Sequence, residues 1–70
     1  MTFTAVIYRN SESDWLVASN PETGTTTQGK TVEEALANLK EATALYLEEF
    51  PQPEPAPALL TTFEIPTVHA

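Results

Sequence analysis

One amphipathic helix is all this chain offers to cover a sheet, and that limits its fold more than any other feature. Residues Thr31 to Phe50 read TVEEALANLKEATALYLEEF. Thr31 is a natural N-cap. Its hydroxyl can accept a first-turn amide, and Glu34, three residues on, is placed to reach back to Thr31's own amide. Val32, Ala35, Leu36, Leu39, Ala42, Thr43, Tyr46, Leu47 and Phe50 recur at helical spacing on one face. Glu34, Asn38, Glu41, Glu48 and Glu49 take the other face, and Pro51 ends the run. Leu45 departs from the pattern by pointing into the acidic face, where a lone leucine is usually without meaning.

The residues before the helix alternate in the manner of strands. Thr2 to Arg9, TFTAVIYR, and Asp14 to Ser19, DWLVAS, are rich in aromatic and β-branched residues. The turn composition NSES between them, Asn10 to Ser13, predicts an antiparallel hairpin. Asn20-Pro21 opens a loop that turns near Gly24, and Thr25 to Gln28 is expected as a third, more exposed strand. Gly29-Lys30 then leads into the helix. Phe3, Ala5 and Ile7 fall on one face of the first strand and Val6 and Tyr8 on the other. The second strand divides likewise, Trp15 and Val17 against Leu16 and Ala18. A sheet with apolar groups on both faces and one helix has one face uncovered.

Little else in the chain can cover it. Pro51 to Pro57, PQPEPAP, predicts an extended polyproline segment, and Leu59 to Ile65, LLTTFEI, a short fourth strand ended by Pro66. The expected organisation is therefore a β-β-β-α domain over 1–50, a proline-rich linker over 51–58, and a short strand and tail over 59–70. A domain of 70 residues is marginal by itself and commonly recruits disulfides, a metal or a second subunit. The chain has no cysteine, and its one histidine, His69, is next to the C-terminus. No metal or other cofactor is expected. Homo-oligomerisation, as a dimer or tetramer through the open sheet face or a sheet edge, remains the expected remedy.

Charge narrows the partners. Ten acidic residues against three basic ones give a net charge of −7. Arg9, Lys30 and Lys40 are scattered, so no basic patch is available for phosphates and direct nucleic-acid binding is not expected. A basic protein partner fits better, although such a charge also serves solubility alone. No apolar run has transmembrane length and no signal peptide is evident, so a cytoplasmic protein is expected.

Catalytic constellations are missing. Glu33-Glu34 and Glu48-Glu49 are neighbours on a helix and diverge, while Glu34, Glu41 and Glu48 form a heptad-spaced stripe that reads as a solvated face. Ser11, Ser13 and Ser19 have only His69 as a distant base. Gly24 and Gly29 build no phosphate loop. Trp15 fits a core position or an interface contact.

One pattern is more specific. The run Asp14 to Phe50 resembles the HicB-type antitoxin family of prokaryotic toxin–antitoxin pairs. The resemblance is carried by Trp15 at the head of a strand and by the loop Asn20-Pro21-Glu22 ending in Gly24. The turn Thr27-Gln28-Gly29-Lys30-Thr31 and the helix start Glu34 to Ala42 complete it. Phe3 to Arg9 is also similar to the family's first strand. The resemblance implies an α+β, partial ribonuclease-H-like fold: a three-stranded antiparallel sheet, one helix packed on it and a short C-terminal strand. In that setting Gly29 would let the strand turn sharply into the helix, and Ala35 and Ala42 would seat the helix closely. Active enzymes of the fold need clustered carboxylates, one of them on the first strand, and Thr2 to Tyr8 contain no acid. A non-enzyme is expected.

The family binds and neutralises a small basic HicA-type RNA-cleaving toxin, a role the charge of this chain fits. Trp15, Glu22, Leu45, Glu54 and Glu64 are the candidate partner contacts. Many members carry a helix-turn-helix or ribbon-helix-helix domain, for which the chain has no room before Ala70, so operon repression by direct DNA binding is not expected. The alternative is a solitary HicB-like oligomer, acting as a scaffold or small-ligand binder.

Overall fold

A computed structural model of the chain describes residues 1–56 and 58–67. Pro57 of the expected linker, and Val68, His69 and Ala70 at the end of the expected tail, lie outside the described residues. Three short strands and one helix follow in order: β1 (Val6–Arg9), β2 (Leu16–Ser19), β3 (Thr26–Gly29) and α1 (Val32–Glu49). The sheet is antiparallel with strand order β1-β2-β3. Ile7 faces Ala18, which faces Thr27, and Arg9, Leu16 and Gly29 form the next row on the same face, two residues on. The α+β architecture is thus the expected one. The strands are shorter than their apolar runs, because Thr2 to Ala5 and Asp14-Trp15 precede the ladder.

The helix begins where its cap places it. Thr31 sits in an extended conformation (φ −129°, ψ 164°) and its hydroxyl accepts the Glu34 amide at 3.0 Å. Such a cap contributes about 1 kcal/mol. The return bond is displaced by one residue from expectation: Glu34 Oε1 accepts the amide of Lys30, at 3.1 Å, and not that of Thr31. At the other end Phe50 leaves helical geometry, its amide still bonded to the Tyr46 carbonyl at 2.8 Å, and its ring stands 5.0 Å from that of Tyr46.

Helix α1 lies across β3 and β2. Ala18, Ala35 and Leu39 are buried between them, with Ala5, Ile7 and Leu16 packed around. The two alanines let the backbones approach, and Gly29 completes that approach. A Cβ on Gly29 would stand 2.5 Å from the Ala35 nitrogen. This residue is therefore needed for space and not, as expected from its place before the helix, for a sharp turn. The turning glycine is Gly24, at φ 80°. Polar seams complete the seat: Thr27 Oγ1 donates to the Ala35 carbonyl at 3.1 Å, and the Thr25 and Thr43 hydroxyls meet at 2.9 Å.

Leu59 to Ile65 differs from expectation. It forms no strand in the structure, and all seven residues are exposed. Strand pairing needs an edge within reach, and this segment lies against none. The chain is accordingly elongated, 49 × 28 × 17 Å, with a radius of gyration of 14.6 Å. A compact chain of this length would have about 11 Å.

Candidate interaction surfaces

The loop between β2 and β3 is organised by a buried asparagine. Asn20 is 1% exposed and makes every bond its amide allows at this site. Its Nδ2 donates to the Thr4 carbonyl and to Glu22 Oε1, each at 2.7 Å. Its Oδ1 accepts the Thr23 amide at 2.8 Å and the Thr23 hydroxyl. Glu22 completes the bridge to the N-terminal segment, accepting the Thr4 amide and hydroxyl, each at 2.7 Å. Both carboxylate oxygens of Glu22, a candidate partner contact, are thus committed to the fold. Sequence reasoning read Asn20 only as a loop opener. The signal it passed over was an asparagine with threonine three and five residues on, the pattern of a side chain capping its own turn.

These bonds hold the Glu22 carboxyl below its ordinary value, the Thr4 amide contributing most and the Thr4 hydroxyl next, against partial desolvation. The sign of the pH dependence follows. A depressed folded-state pKa gives stability that is present above the unfolded value near 4.5 and is lost as pH falls through the folded value. The urea midpoint is therefore expected to drop as pH falls below about 4.5, with a shallower drop in Glu22→Gln; equal slopes in both proteins would contradict this role.

The other candidates are at the surface. Trp15 is 40% exposed, so it belongs to no core, and the Lys30 ammonium stands 5.5 Å above its ring centroid. By alternation it shares the open sheet face with Tyr8 and Val17. Leu45 is 55% exposed on the outer side of α1. Glu54 and Glu64 are exposed along the segment after the helix. The structure brings none of Trp15, Leu45, Glu54 and Glu64 together.

Acidic groups dominate the remaining exterior. Of ten acidic residues, nine are exposed, Glu22 being the exception. Among the described residues one ion pair forms, Arg9 to Asp14 at 4.0 Å, and it is open to water and so nearly worthless for stability. Glu48 and Glu49 stand in the last turn of α1, with no basic residue there to offset them. The negative end of the helix dipole disfavours acids at that position.

A groove of about 310 Å³ runs between the N-terminal segment and α1, lined mainly by apolar groups of Met1, Phe3, Ala5, Leu36, Leu39 and Leu47. Lys40 stands at its rim. Among the described residues no three His, Cys, Asp or Glu side chains cluster as metal ligands. Nor is any helix there long and apolar enough to cross a membrane.

Fold and surfaces together define a small acidic α+β unit, one sheet of three antiparallel strands under one helix. Residues 4–67 match the family of unknown function DUF7387, and the chain belongs to that family. No curated protein and no solved structure matches it.

Proposed function

We propose that this chain is a cytoplasmic antitoxin of HicB type, which binds and neutralises a small basic RNA-cleaving toxin and is not itself an enzyme. The observation that carries the reading is the unneutralised acidic exterior. Nine carboxylates are exposed, and two of them, Glu48 and Glu49, stand at the helix end that least favours them, where they cost stability. Such a surface steers a cationic protein and suits it at contact. The β-β-β-α order agrees with the resemblance described above. In this reading the fold is the partial ribonuclease-H-like one, and Leu59 to Ile65 supplies its short fourth strand in the assembled state. Trp15, Leu45, Glu54 and Glu64 remain its candidate contacts.

The test is capture at low salt on the tagged chain, followed by an RNA-cleavage assay. A small basic protein retained in stoichiometric amount, eluted by high salt, is expected to cleave RNA and to lose that activity when one equivalent of this chain is returned. Retention of no such protein, or cleavage unaffected by the chain, overturns the reading. The solitary-domain alternative is favoured by one feature, the apolar groove, whose volume suits a small ligand.

A further inference from the structure

Two unpartnered apolar features of this chain fit one another. One is the groove between the N-terminal segment and α1. The other is Leu59 to Ile65, where Leu59 is 92% exposed, Phe63 83% and Ile65 76%. Alternation along an extended backbone puts these three on a single face, with Leu60, Thr62 and Glu64 on the opposite one.

Among the described residues the sheet edge beside the groove is free. The Asn10 amide donates to the Trp15 carbonyl at 2.9 Å, and the Thr4 amide and carbonyl are held by Glu22 and Asn20. Backbone groups alternate in direction along an antiparallel strand, so those of Ala5, Ile7 and Arg9 point away from β2. The opposite edge is partly closed, because Asn38 Nδ2 donates to the Gln28 carbonyl at 2.9 Å.

We propose that Leu59 to Ile65 of a second copy adds to β1 as an edge strand, its Leu59, Phe63 and Ile65 filling the groove, and that the exchange is reciprocal. The segment has the same length as Phe3 to Arg9, the stretch beside which it would lie. Prolines 51, 53 and 55 decide between the chain's own segment and another's. A run of this kind is stiff and extended at about 3.1 Å per residue, which opposes the reversal needed to reach its own β1. The elongated outline of the single chain agrees. A two-fold exchange closes on itself and covers both free edges.

This inference shares with the antitoxin reading only the fourth strand supplied by Leu59 to Ile65, and it is tested without any toxin. Sedimentation of the full chain at tens of micromolar is expected to show a dimer, with slowed amide exchange at Ala5, Ile7 and Arg9. Phe63→Glu and, separately, Ile65→Glu are expected to weaken the dimer by on the order of 100-fold or more. The helical circular dichroism should stay intact, since both side chains are exposed within one chain. A monomeric parent chain overturns the proposal, as does a dimer indifferent to both substitutions. A monomer with slowed edge amides that Phe63→Glu releases would show the segment folding onto its own sheet, which also overturns it.

Discussion

Asn20→Ala is expected to remove most of the stability of this domain. The substitution strands the Thr4 carbonyl and the Thr23 amide and takes one partner from Glu22, in a place water reaches poorly. Each buried polar group left unpaired costs about 1–3 kcal/mol, so the two stranded groups together cost about 2–6 kcal/mol. A domain of this length has a total of only about 3–10 kcal/mol. Urea titration followed by circular dichroism is expected to show a midpoint near zero, or a chain already unfolded in buffer. Asn20→Asp provides the control for shape. It keeps the acceptor for Thr23 but puts a second carboxylate beside Glu22 where a donor is required, and it should fail nearly as badly. An alanine variant that keeps more than half the parent midpoint would show that the loop, not the side chain, organises this end.

The second large effect is expected from Gly29→Ala. The added methyl would meet the Ala35 nitrogen at 2.5 Å, the Ala35 Cα at 2.9 Å and the Glu34 carbonyl carbon at 3.0 Å. These are helix backbone atoms, which cannot swing aside as a side chain can. The whole first half of α1 must lift, loosening the contacts among Ala18, Ala35 and Leu39. Overpacking of this kind costs about 2–4 kcal/mol. Gly24→Ala is the informative comparison. Nothing lies within 4 Å of the new methyl, and only the positive φ of 80° is unfavourable, at about 1–2 kcal/mol. Thermal melts should therefore rank the parent above Gly24→Ala and that above Gly29→Ala. The reverse order would mean that the helix sits farther from β3 than these distances say.

These two glycines show what could be read before any coordinates. Gly24 was legible because a loop opened by Asn20-Pro21 needs a residue tolerant of positive φ. Gly29 was placed correctly, but its reason lay in another element: only the docked helix shows that Ala35 occupies the space of a side chain. The same division holds elsewhere. Thr31, Pro51 and the apolar stripe between them act within a few residues, so the limits of α1 followed from local spacing. Trp15 and Leu45 were ambiguous, since spacing alone does not say which sheet face α1 covers or what meets its outer side; Trp15 falls on the face opposite α1 and Leu45 on the side of α1 turned from the sheet. Leu59 to Ile65 has the alternation of a strand, but an alternating segment pairs only where an edge is offered. Local pattern does not encode that. Glu22 was counted with the exterior charges because a carboxylate in a proline-acid loop is ordinarily solvated, and nothing nearby announces that Thr4 will be its partner.

The smallness of the interior has a thermal consequence. Among the described residues its buried apolar members are two alanines and one leucine, and the largest fully buried side chain is Asn20. Unfolding therefore exposes little hydrocarbon and much that hydrates as polar surface, so the heat capacity of unfolding should fall below the usual ~12–15 cal/mol/K per residue. A small heat-capacity change flattens the curve of stability against temperature, leaving a low ceiling that hardly changes between cold and warm conditions. In the dimer proposed above, abundance would govern persistence more than temperature does, because association shifts the folded fraction by mass action.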